Sequence, residues 1–201
     1  LDRPKVTTCK QPRLCWTTSI RAGLGAIIAV GVAHAMMLVT FASWLENEHA
    51  ISVSGLGLTA IVIGIAELGG SGGAALISDR LGLIRSIELA LVGSVVASLL
   101  IPLGSAAIVV ALVVMGAYFI MIEFAVVALL SLFSELDREA RGTAIGYFFG
   151  GFTLGHSGGV IAGTQLFERS GMEMNAVAMS GAFGIAFVIV KMFITEPEVE
   201  N

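Results

Sequence analysis

Charge is what this chain has least of: 13% of its 201 residues are charged while 56% are hydrophobic, and it holds only 4 Pro, 2 Cys and 7% aromatics. A soluble domain carries about 25% charged residues, and a chain of this size has too little interior to hide so much apolar surface from water. The shortage of charge therefore excludes most soluble classes and makes lipid the expected solvent for most of the sequence. Two Cys exclude a disulfide scaffold, and a formal net charge of -4 lacks the basic excess of a nucleic-acid binder. Cys9 and Cys15, with no His nearby, do not fit a zinc site and read as plain thiols. No metal or cofactor is expected.

Residues 1–21 are polar, contain Pro4 and Pro12, and carry Asp2, Arg3, Lys5, Lys10, Arg13 and Arg21. They lack the apolar stretch of a signal peptide and read as a cytosolic linker, followed by an apolar region over 22–195 and a short cytosolic tail over 196–201. Leu1 comes first and no Met precedes Met36, so the chain is expected to be a fragment of a longer protein.

What is abundant is apolar sequence in long runs. Charges divide it into six segments, 22–45, 54–78, 86–103, 106–133, 142–167 and 175–194, each near the ~20 residues that a helix needs to cross a ~30 Å hydrocarbon core. Runs this continuously apolar are helices and not alternating barrel strands. The expected fold is all-α, a polytopic membrane protein of six spans. Cytosolic loops hold the excess of Lys and Arg. With both termini in the cytosol, Arg3, Lys5, Lys10, Arg13, Arg21, Arg80, Arg85, Arg138, Arg141 and Lys191 fall inside and only Arg169 falls outside. Trp44, at the outer end of the first run, is expected in an interfacial aromatic belt.

An internal repeat emerges at an offset of 89 residues. Gly57 then falls on Gly146, Gly69 on Gly158, Gly70 on Gly159, and Asp79-Arg80-Leu81-Gly82 on Glu168-Arg169-Ser170-Gly171. His34 falls on Glu123 and Glu67 on His156. Three spans repeated as three more, an odd number, must run in opposite directions across the membrane. Such an inverted 3+3 repeat is typical of secondary transporters.

The loop Ala75-Leu76-Ile77-Ser78-Asp79-Arg80-Leu81-Gly82-Leu83-Ile84-Arg85 resembles the signature between the second and third helices of each half of the major facilitator superfamily. Ala75 stands where that signature has Gly, and Leu83 and Ile84 replace its basic pair, with one positive charge kept at Arg85. The stretch Glu139-Ala140-Arg141-Gly142-Thr143-Ala144-Ile145-Gly146 is similar to the start of the fifth helix in the family's C-terminal half. The resemblance covers nearly the whole chain and is nearest to bacterial drug and sugar efflux permeases. It implies the C-terminal half of a transporter in the inner or plasma membrane, working by alternating access, with a missing N-terminal six-helix half as partner. The implied activity is proton-coupled efflux of small organic solutes, not enzymatic catalysis. In the family this loop links the two halves in one state of the cycle, so the resemblance makes Asp79, Arg80, Gly82 and Arg85 a gating loop. Read locally, Gly82 ends a helix.

Ionisable groups at mid-membrane cost at least ~2.5–3.5 kcal/mol on insertion scales, so each is a functional candidate. His34, Glu67 and His156 lie near the middle of the first, second and fifth runs, and Glu123 lies somewhat to the cytosolic side in the fourth. The third and sixth runs carry none at mid-depth, Glu88 lying within a turn of Arg85 at the cytosolic end where it is expected to be solvated or paired; in the resembled family those two helices face lipid while the other four line the cavity. Carboxylates and imidazoles in such surroundings can serve as proton carriers or bind substrate, and Phe119 and Phe152 fall on the same helical faces as Glu123 and His156. Phe149 falls there too. These six, His34, Glu67, Glu123, His156, Phe119 and Phe152, are the expected substrate and proton pathway. Glycines at four-residue spacing, Gly142, Gly146 and Gly150, then Gly151, Gly155, Gly159 and Gly163, read as close helix packing.

A rival reading exists. Gly155-His156-Ser157-Gly158-Gly159 matches both the G-x-S-x-G nucleophile pattern and the G-x-S-G of rhomboid-type intramembrane serine proteases, with Ser157 as nucleophile. A nucleophile elbow needs a strand-turn-helix setting, which a mid-helix position denies, and no His follows His156 to serve as the rhomboid base. A third class, a non-transporting receptor or assembly subunit on the same fold, shares every one of these features.

Overall fold

Long apolar runs without water to satisfy their backbone fold as helices, and the computed structural model is all-α. It describes Leu14 and residues 16–194. Arg3, Lys5, Cys9, Lys10, Arg13, Cys15 and the expected tail over 196–201 lie outside the described residues. Five helices succeed one another: α1 Thr18–His49, α2 Val53–Leu81, α3 Leu83–Leu100, α4 Ile108–Leu136 and α5 Arg141–Phe193, with a 3-10 turn at Ile101–Ala106. All five, α3 taken with that turn, are long and apolar enough to cross a membrane.

Local chemistry sets the boundaries. The Thr17 side chain accepts from the Ile20 amide at 3.2 Å, so α1 starts at Thr18, ahead of the first apolar run. Ser52 caps α2 in the same way, accepting from Gly55 at 3.3 Å. Gly82 alone separates α2 from α3, with φ 85 and ψ 146, a left-handed φ that a side chain resists. The local reading of Gly82 as a helix terminator therefore holds.

The last third departs from the expected pattern of two runs joined by a loop over 168–174. Helical backbone continues up to and beyond Gly171, which alone breaks it with φ 72 and ψ -170. Packing partners reverse there. Before it, Gly155 meets Ile28, Gly159 meets Val32 and Gly163 meets Met36, α1 numbers rising with those of α5. After it, Asn175 donates to Thr40 at 3.0 Å, Met179 Sδ lies 3.6 Å from the Tyr118 hydroxyl that donates to Ala33, and Ile189 meets Gly25. The second arm of α5 therefore runs back along α1, and the polar Glu168-Arg169-Ser170 stretch stays helical because one positive-φ glycine is enough to turn the chain.

The inner row packs α2 on α4, α4 on α1 and α1 on α5, while α3 packs behind on α4 and α5. Glu88, expected to be solvated or paired, pairs with Lys191 of the second arm at 3.1 Å. The outward faces of α3 and of the second arm are aliphatic, with Leu89, Val92, Val96, Val177, Ile185 and Val188 exposed. Trp44 corrects the aromatic-belt expectation. It is 1% exposed, its ring fills the space left by Gly104, and its Nε1 donates to Ser105 Oγ at 3.4 Å. Its one donor is satisfied inside the bundle, so it has no need of the interface.

The closest approach in the fold is α1 against the first arm of α5. A Cβ at Gly155 would collide with the Ile28 carbonyl oxygen, and one at Gly163 would stand 2.7 Å from Met36 Cα. Gly151 and Gly159 are packed likewise, whereas Gly142, Gly146 and Gly150 have open space beside them. The packing expectation thus divides the glycines into a packed stripe and an open one. Gly155→Val is expected to cost about 3 kcal/mol or more, at the upper end of overpacking penalties, while Gly181→Ala, with nothing within 4 Å, stays within about 0.5 kcal/mol of wild type. Thermal unfolding in detergent checks this, and equal midpoints for the two variants would refute the assignment.

Candidate functional site

Gly31 has no side chain, and the position of its Cβ would lie 2.5 Å from the Phe152 carbonyl and 3.2 Å from the His156 amide. That lets α5 approach α1 one turn from His34. The His34 ring consequently sits between three others, with centroid distances of 5.6 Å to Phe152, 5.7 Å to His156 and 6.1 Å to Phe119 of α4. Both nitrogens of His34 and Nδ1 of His156 are buried without a hydrogen-bond partner among the described residues. Buried polar atoms nearly always have partners, so three orphaned nitrogens in one place single out this cluster.

A second cluster forms where α2 meets α4. Gly70 again permits the contact, its Cβ position lying 2.5 Å from the Ile120 carbonyl and 3.0 Å from Glu123 Cβ. Ser71 Oγ lies 3.0 Å from Glu123 Oε1 and 3.0 Å from the Glu67 carbonyl oxygen. One hydroxyl proton serves both acceptors, so Ser71 bonds either across to α4 or back to its own helix. Glu67 is within electrostatic reach of Glu123. Phe119 and Glu123 are one turn apart on α4, which joins the two clusters.

The six expected pathway residues therefore come together as a row across four adjoining helices: Glu67, Glu123, His34 and His156, with Phe119 and Phe152 beside the imidazoles. Phe119 is fully buried, and Phe152 is partly exposed. Phe149 is not part of it; half-exposed, it packs edge-on against Phe148. Ser71 was missed by sequence reasoning, although its place one helical turn after Glu67 was a readable signal. No Lys or Arg lies in the row: Arg80 closes α2, Arg141 opens α5, and Lys191 lies in the last turn of α5. Among the described residues no three His, Cys, Asp or Glu side chains gather as a metal site.

The expected gating residues lie elsewhere. Asp79, Arg80 and Arg85 are exposed. Asp79 and Gly82 line an open polar cleft of about 630 Å³ with Ser134 and Glu135 of α4 and Arg141 of α5, which places the ends of α2 and α4 beside the start of α5. A second, apolar cavity of about 630 Å³ lies between α1 and α5, bordered by Ile28, Gly146, Tyr147, Gly150 and Leu154; the open glycine stripe creates it. Ser157 is exposed, and its Oγ donates back to the Thr153 carbonyl at 2.9 Å. No imidazole pairs with it.

No protein-family model matches the chain, and no curated protein matches it.

Because neither His34 nitrogen has a partner to lose, His34→Phe is expected to keep the helical content and to leave stability unchanged or raised by about 1–3 kcal/mol, the cost of an unsatisfied buried polar group. Circular dichroism and thermal unfolding in detergent check this. A destabilisation of similar size would instead make the imidazole a structural hydrogen-bonder.

Proposed function

We propose that this chain is a six-helix half of a secondary transporter resembling the major facilitator superfamily, its C-terminal half, moving small organic solutes by alternating access with coupling to protons. The observation that carries the reading is the row of four ionisable groups, one on each of four adjoining helices, held at mid-length of apolar helices where charge is expensive.

Length supports six crossings. A straight helix of 53 residues would measure roughly 80 Å, far beyond a ~30 Å core, and the reversal at Gly171 makes it two crossings. The inverted repeat is supported by three features. Shifted by 89 residues, the bounds of α1 and α2 fall within about two residues of those of α4 and of the first arm of α5. The two positive-φ glycines among the described residues, Gly82 and Gly171, are themselves 89 apart. The contact pairs also interchange to within one residue: Gly70 sits on Ile120 and Glu123, and its counterpart Gly159 sits on Val32 and Ala35. A two-fold relation then swaps α2 with α5 and α4 with α1, so each carboxylate of the row has an imidazole as its counterpart.

In this reading Glu67 and Glu123 carry the coupling protons, His34 and His156 relay them or hold substrate, and Asp79, Arg80, Gly82 and Arg85 form the cytosolic gate. The basic ends of the helices face the cytosol, with both termini of the segment on that side. Transport is outward. The aliphatic faces of α3 and the second arm meet lipid, and the missing half covers the row.

The test is proton flux in liposomes holding the whole protein, scanned with candidate solutes, with wild type compared against Glu123→Gln. Gln retains an oxygen that can accept from Ser71, so the fold is kept. The expected outcome is solute-dependent proton movement that falls by about two orders of magnitude or more in the variant, as for a group essential to proton transfer. Undiminished solute-driven proton movement in Glu123→Gln would overturn the coupling role.

A further inference from the structure

Resting on the transporter reading only for the site's exposure to solutes, we infer that the row selects protonated organic amines with an apolar, aromatic body. Its chemistry is one-sided. Two carboxylates pair across α2 and α4 and two imidazoles across α1 and α5, and among the described residues no Lys or Arg lies in the row to neutralise Glu67 and Glu123. Among the described residues Ser71 is the one donor within reach of the Glu123 carboxylate, and an ionised carboxylate has about four acceptor positions. A bound anion would add a third negative group to this site, whereas an ammonium group would compensate the charge already there.

The other half of the row supplies what an amine needs next. A neutral imidazole keeps one acceptor nitrogen, and the orphaned nitrogens of His34 and His156 are oriented acceptors for N–H donors. Phe152, with its ring 5.6 Å from that of His34 and its side chain partly exposed, is the face on which an aromatic body or the cation itself can rest. Phe119, buried behind His34 at 6.1 Å, fixes the imidazole in place. Charge pairing thus falls on α2 and α4 and hydrogen bonding on α1 and α5.

The test is equilibrium binding to the detergent-solubilised whole protein at neutral pH, using three ligands of one shape: 2-phenylethylammonium, the neutral 2-phenylethanol and the anion 3-phenylpropanoate. The amine is expected to bind at least about tenfold more tightly than either of the others, and to lose about tenfold or more in Glu67→Gln and in Glu123→Gln, since a charge-assisted hydrogen bond is worth that ratio. Phe152→Leu is expected to weaken the amine about threefold while leaving 2-phenylethanol less affected. Equal or tighter binding of the alcohol or the anion to wild type overturns the inference without any variant, and so does amine affinity unchanged in both Gln variants. The outcomes are separable from those of the transport test: amine binding without proton flux sinks the carrier reading and leaves this site, and proton flux driven by an anionic solute does the reverse.

Discussion

The arrangement depends on helix backbones meeting without side chains between them. Helices in lipid gain nothing from burying apolar surface against one another, so they associate by close van der Waals fit and by polar ties. Gly151, Gly155, Gly159 and Gly163 provide that fit against Ile28, Val32 and Met36 of α1. Gly31 answers from the other side, against the backbone of Phe152 and His156. Bringing these two backbones together is what sets His156 and Phe152 against His34; a single added methyl group at Gly155 would separate them. Gly70 does the same for α2 and α4, and Ser71 beside it reaches Glu123.

Polar ties then fix rotation and register. Tyr118 of α4 donates to the Ala33 carbonyl at 2.8 Å, one residue from His34. Asn175 donates to Thr40, whose hydroxyl donates in turn to the Met36 carbonyl at 2.7 Å. The Tyr118 and Asn175 bonds cross between helices inside the bundle, where an unmade bond is costly, and the Asn175 bond ties the second arm of α5 to α1 in its reversed course. The orphaned nitrogens of His34 and His156 contrast with these satisfied groups. The Tyr118 and Thr40 hydroxyls and the Asn175 amide nitrogen find partners, whereas His34 completes neither of its nitrogens among the described residues.

The outward faces of α2, α3 and both arms of α5 present branched aliphatic side chains, and α2 and the first arm add glycines with open space beside them, Gly57, Gly64, Gly69 and Gly72 on one and Gly142, Gly146 and Gly150 on the other. A flush aliphatic surface suits fluid hydrocarbon.

The sequence by itself determined the all-α class, the apolar length of the helices, the break at Gly82 and the mid-helix positions of His34, Glu67, Glu123 and His156, because each is a local matter of composition or spacing. It also carried the 89-residue offset, on which the two positive-φ glycines later fell. It did not distinguish packed glycines from open ones, place Trp44 inside, exclude Phe149 or include Ser71. Nor did it show that the chain reverses at Gly171 without a loop. Only the tertiary structure decided these, for one physical reason: a helical sequence states which residues share a face but not which neighbour that face meets. Whether Gly155 touches Ile28 or Gly146 touches nothing depends on the position of a helix more than a hundred residues away in the chain.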